Sequence, residues 1–129
     1  MGLLKKLFSS SNVEKEEKFI PWHRLTTIQQ LDEIEKESLK KPIAIFKHST
    51  RCGTSRMALR QFESQFEIED EKLKLYFLDL ITFRDVSNEV AIRFQVMHQS
   101  PQLLVIKNSN TIHHSSHYSI SAGLLEQFV

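Results

Sequence analysis

The chain has 129 residues, 40% of them hydrophobic and 26% charged, with a formal net charge of +1 and one cysteine. That size suits one domain around one buried core; the near-zero charge argues against nucleic acid or an acidic partner surface, and a lone cysteine excludes an internal disulfide. A cytoplasmic monomer without stable membrane association is expected.

The first stretch, "MGLLKKLF", sets two lysines in an apolar run too short for a signal peptide or a membrane span, and "SSSNVEKEEK" follows. Residues 1–21 are therefore expected to be an N-terminal tail and 22–129 the domain. A frayed terminus is the simpler reading of the tail, with weak membrane-surface contact through Leu3, Leu4 and Phe8 as its alternative.

Thr27 and Gln30 form a candidate capping box, and Ile28, Leu31 and Ile34 recur at helical spacing, which predicts a helix from about Thr27 to Leu39. Pro42 opens "PIAIF", a buried strand by its β-branched apolar run. After Cys52, the stripe Ala58, Leu59, Phe62 and Phe66 predicts an amphipathic helix starting near Thr54. "LKLYFLDL", Leu73 to Leu80, is the next strand. Val90, Ala91 and Phe94 mark a second crossover helix from about Asp85 or Ser87. "LLVI", Leu103 to Ile106, follows Pro101, the "KNSN" turn leads to a strand over "TIHHSSHY", and Leu124, Leu125 and Phe128 close the chain with a short helix.

The expected fold is α/β: a central mixed β-sheet in the order β-α-β-α-β-β-α, with an extra N-terminal helix, covered on both faces. This element order resembles the thioredoxin fold.

In such an order Cys52 lies beyond the carboxyl end of a strand and at a helix N-terminus, where free backbone N–H groups and the helix dipole favour a thiolate. Surroundings of this kind lower a thiol pKa from about 8.5 into the range of about 3.5 to 7.5. Cys52 is the candidate nucleophile, with Arg51, Thr54 and Ser55 as candidate thiolate-stabilising residues. Ser55 stands where a second cysteine would complete C-x-x-C; its hydroxyl can donate to the sulfur but cannot resolve a mixed disulfide. The second thiol must come from outside.

Pro101 begins the strand antiparallel to "PIAIF", so "HQSPQ" approaches the cysteine edge of the sheet. The fold raises the expectation of a cis Ser100–Pro101 peptide, with the Ser100 backbone free to pair with an extended substrate. Ser100, Pro101, His48 and His117 are the candidate substrate-binding residues. Strand alternation would put His113 and His117 on one face and His114 on the other, so the cluster does not converge on a metal without a bulge, and none is assigned.

The segments "KHSTRCGTS", "SPQ" and "HHSSHYSIS" together resemble the monothiol bacilliredoxin family of the bacillithiol system, from about Trp22 to the C-terminus. The family commonly carries proline and isoleucine after the cysteine, where this chain has Gly53 and Thr54. That departure bears on the width and polarity of the thiol pocket. The resemblance implies that Cys52 takes bacillithiol, a co-substrate and not a bound cofactor, from S-thiolated client proteins. Free bacillithiol then regenerates Cys52, forming bacillithiol disulfide for a separate bacillithiol disulfide reductase, which is an indirect partner of the chain. Two alternatives stay open: "CGTS" is one residue from the CGFS motif of glutaredoxins that carry iron-sulfur clusters, and Cys52 could serve a non-catalytic redox sensor.

Overall fold

A computed structural model describes residues 18–129. The expected tail, with Leu3, Leu4 and Phe8, lies almost wholly outside the described residues. No helix among the described residues is long and apolar enough to cross a membrane.

Among the described residues five strands form one sheet: β1 (Trp22–Arg24), β2 (Ile43–His48), β3 (Lys74–Asp79), β4 (Gln102–Lys107) and β5 (Asn110–Ser116). Their spatial order is β1-β3-β2-β4-β5, with β1, β3 and β2 parallel and β4 and β5 antiparallel additions. Three α-helices among the described residues cover it: α1 (Gln29–Glu37), α2 (Gly53–Gln65) and α3 (Arg84–Arg93). This is the mixed α/β arrangement, a sheet with helices on both faces, that the alternating periodicities predict.

Strand β2 is central, and all six of its residues are buried. Alternation sends Ile43 and Ile45 to one face, where they meet Leu31 and Ile34 of α1 and Val86 and Val90 of α3. Ala44 and Phe46 go to the other face, against Phe62 of α2, with Phe66 just beyond that helix and Leu125 near the C-terminus. Each of the larger side chains among these contributes about 1.5–3 kcal/mol by leaving water. Trp22 ties β1 to α2: its ring centroid lies 5.8 Å from that of Phe62, and its Nε1–H donates to Glu63 at 2.7 Å.

The Thr27–Gln30 capping box closes in both directions, with Gln30 N–H donating to the Thr27 hydroxyl at 3.2 Å and Thr27 N–H to the Gln30 side chain at 3.0 Å. The two-residue turn of the β4–β5 hairpin holds Asn108 and Ser109 at φ 53° and 64°, as a turn with two left-handed central residues requires.

Three expectations change. Strand β1 precedes α1 and makes the sheet five-stranded; three residues of mixed polarity carry no periodicity to reveal it. Strand β5 stops at Ser116, because His117 enters the left-handed region at φ 54° and opens a 3-10 turn over His117–Ser119. The closing helix, Ala122–Phe128, is also of the 3-10 kind.

Candidate active site

The chain leaves β2 at His48, passes through Ser49, Thr50 and Arg51, and enters α2 with Cys52 as the N-cap residue in extended backbone (φ −109°, ψ 123°). The cysteine N–H donates to the Ser49 carbonyl at 3.3 Å, and the Cys52 carbonyl accepts from Arg56 N–H at 3.1 Å, the first turn of the helix. Cys52 is half-buried and free. Its sulfur closes no strict capping bond, yet it faces the open end of the helix.

That placement lowers the thiol pKa. The Ser55 backbone N–H contributes most; partial burial opposes it; the Thr54 N–H, the Thr54 hydroxyl and the positive charge of Arg56 add to the lowering. Sulfur is large and soft, so N–H groups that miss strict hydrogen-bond geometry still favour its anion.

Among the predicted stabilisers, Thr54 acts through both its N–H and its hydroxyl. Ser55 acts through its backbone instead of its side chain. The Ser55 hydroxyl is wholly buried, accepts a hydrogen bond from Ser49 N–H at 3.0 Å, and lies 2.8 Å from His48 Nδ1. Arg51 is exposed, and the cation that acts on the sulfur is Arg56, which is not among the expected stabilisers. A helical side chain leans toward the helix N-terminus, so Arg56 folds back over the first turn and donates to the Thr50 carbonyl at 3.1 Å.

His48 is buried, packs its ring 5.5 Å from that of Phe77, and is held below the usual histidine pKa chiefly by burial. It braces the loop before Cys52 and does not line an open groove. On the other side, the Ser100–Pro101 peptide is cis. Pro101 is buried, and its carbonyl accepts from His117 N–H at 3.1 Å, which brings the exposed 117–119 turn beside it and against α2. Among the described residues the Ser100 backbone groups make no hydrogen bond, and the buried Ser100 hydroxyl has no partner.

His113 and His114 do fall on opposite faces, paired with Val105 and Leu104. His113 packs 5.5 Å from the Phe128 ring, while His114 borders a cleft with Arg93 and Thr111. His117 belongs to neither face, since the strand has ended.

One group escaped the sequence reading. Lys47, within the buried run of β2, has no exposed surface, and its amine lies 2.8 Å from Nδ1 of His98. Burial lowers its pKa to about 8. A lysine inside "PIAIFK" was the available signal.

The family model described as Monothiol bacilliredoxin BrxC matches residues 23–125. The chain is also similar to a solved structure of a candidate oxidoreductase with a thioredoxin fold, at 27% identity and a TM-score of 0.70, covering 83% of this chain and 92% of that one. The thioredoxin of Malassezia sympodialis matches at 18% identity and a TM-score of 0.63, covering 84% and 90% of the two chains. That of Fasciola hepatica matches at 18% identity and 0.61, covering 82% and 95%. The two thioredoxins bear on fold alone, and the fold is theirs.

Proposed function

The chain belongs to the monothiol bacilliredoxin family, a thiol-disulfide oxidoreductase group of the thioredoxin fold, and on that premise we propose that Cys52 removes bacillithiol from mixed disulfides on client proteins. The Cys52 thiolate attacks the bacillithiol sulfur. A Cys52–bacillithiol disulfide forms as the client sulfur departs as a thiolate. A bacillithiol thiolate then attacks that sulfur again, releases bacillithiol disulfide and restores Cys52. A separate bacillithiol disulfide reductase returns the product to thiol.

The observation that carries this reading is the half-buried Cys52 at the open end of α2, its thiol pKa lowered by the Ser55 and Thr54 N–H groups, in a chain without a second cysteine. The unpaired Ser100 backbone beside Pro101 supports alignment of an extended substrate by main-chain hydrogen bonds. The proposed setting is the cytoplasm, with the protein acting as a monomer and holding no bound cofactor.

Intact mass after mixing the reduced protein with bacillithiol disulfide and, separately, glutathione disulfide tests the choice of small thiol. The expected result is a bacillithiol adduct on Cys52 in preference to a glutathione adduct. A reversed preference keeps the chemistry and replaces bacillithiol.

A further inference from the structure

Lys47 stands fifth in β2 and, by alternation, shares the face of Ile43 and Ile45, opposite to α2. It has no exposed surface, and no carboxylate among the described residues pairs with it. A buried ammonium group without a counter-ion is costly. Its one hydrogen-bonding partner among the described residues is Nδ1 of His98, at 2.8 Å.

An ammonium group only donates, so Nδ1 of His98 accepts and the ring proton sits on Nε2. His98 is exposed and lies three residues before Pro101 in the loop from α3 to β4. With Nδ1 turned to the buried lysine, the Nε2–H edge is the outward one. Gln102, directly opposite Lys47 in the β2–β4 register, holds the same loop by donating to the Met97 carbonyl at 3.0 Å. Gln102 Oε1 and Ser100 Oγ are buried there without partners among the described residues. Arg84 adds positive charge close to His98. The loop thus presents an oriented donor and an uncompensated cation at the cysteine end of the sheet.

We propose that Lys47 and His98 form a carboxylate-binding subsite beside Ser100–Pro101, in which His98 Nε2–H donates to a carboxylate of the disulfide substrate and Lys47 fixes the ring and supplies charge behind it. His98 is the binding residue and Lys47 the positioning residue. The subsite rests on Cys52 being the attacking thiol.

The test uses the reduced full chain and two disulfides of similar size, dithiodiglycolate with two carboxylates and uncharged 2-hydroxyethyl disulfide. In each case the Cys52 thiolate forms a mixed disulfide and expels the other half as a thiolate. His98→Ala is expected to slow the reaction with dithiodiglycolate about tenfold, as loss of one hydrogen bond to a charged group does, and to leave that with 2-hydroxyethyl disulfide unchanged. Lys47→Met is expected to give the same pattern, and His98→Gln, which keeps a donor, to recover part of the loss. Histidine nitrogen NMR at pH 7 should show His98 as the Nε2–H tautomer in the unsubstituted chain and a tautomer mixture in Lys47→Met. Equal slowing of both disulfides, slowing of neither, or an Nδ1–H tautomer in the unsubstituted chain overturns the subsite. A Cys52 inert to both disulfides overturns the thiol reading beneath it, and the tautomer then still reports separately on the Lys47–His98 pair.

Discussion

The Ser55 hydroxyl sits 2.8 Å from His48 Nδ1 and so faces the end of β2, while the backbone N–H of the same serine serves the Cys52 sulfur. One residue thereby joins the catalytic loop to the core through its side chain and stabilises the thiolate through its main chain.

Ser55→Ala is accordingly a stability variant. It leaves the buried Ser49 N–H and His48 Nδ1 without their partner, which costs about 1–3 kcal/mol. Urea unfolding should show that loss, while the thiolate absorbance of Cys52 titrates as before. A displaced titration with unchanged stability would place the hydroxyl on the sulfur instead.

The pH dependence follows from the sign of the Cys52 shift. The thiolate is the attacking form and the folded pKa is lowered, so alkylation reaches half its limiting rate at a lower pH than an ordinary thiol does. By linkage, this group's contribution to stability is fully present above the unfolded-state pKa and is lost as pH falls through the folded one. Arg56→Gln should raise the thiol pKa, and added salt should shrink the difference from the unsubstituted chain. Arg51→Gln should leave the pKa where it is. The reverse order would return the role to Arg51.

Lys47→Met should stabilise the fold even as it damages the proposed subsite. A lysine whose pKa is lowered to about 8 by burial disfavours the folded state at neutral pH. Replacing an unpaired buried cation with an apolar chain of similar length is worth about 1–3 kcal/mol. Because the folded pKa is depressed, the unsubstituted chain gains stability as pH rises from about 8 toward the unfolded lysine value near 10.4, and Lys47→Met should lack that gain. Urea midpoints at pH 7 and pH 9.5 check both statements.

Gly53→Pro tests the departure from the family pattern. Gly53 is the first residue of α2, it is not in the left-handed region, and an added Cβ would meet only the Arg56 side chain, at 3.8 Å. Proline at that position fits a helix start and restricts the unfolded chain, so stability should rise by about 0.4–1 kcal/mol. The Ser55 and Thr54 N–H groups remain, so the thiol pKa should stay low. Thermal unfolding and thiol titration of the variant report the two separately.

The helix start at Cys52 was legible because hydrophobic spacing switches there from a continuous run to the Ala58, Leu59, Phe62, Phe66 stripe. Tertiary direction was not. Nothing local distinguishes Arg51 from Arg56 as the sulfur's cation, since the choice depends on a side chain folding back along α2. The Ser55 hydroxyl meets His48 and Ser49 instead of the sulfur for the same reason: its place on the buried face of the helix matters more than its spacing from Cys52. The end of β5 was hidden because no glycine or asparagine signals the left-handed backbone at His117. The pairing of Lys47 with His98 spans 51 residues and has no signature beyond the oddity of a lysine in an apolar strand.

Whether Cys52 alone carries bacillithiol away from a client is read by intact mass spectrometry of a bacillithiolated client mixed with the reduced chain. The expected result is a reduced client together with a transient bacillithiol adduct on Cys52, repeated turnover once bacillithiol and its disulfide reductase are supplied, and no reaction in Cys52→Ser. A client still released by Cys52→Ser would contradict it. So would a single stoichiometric adduct without turnover, which is the behaviour of a sensor.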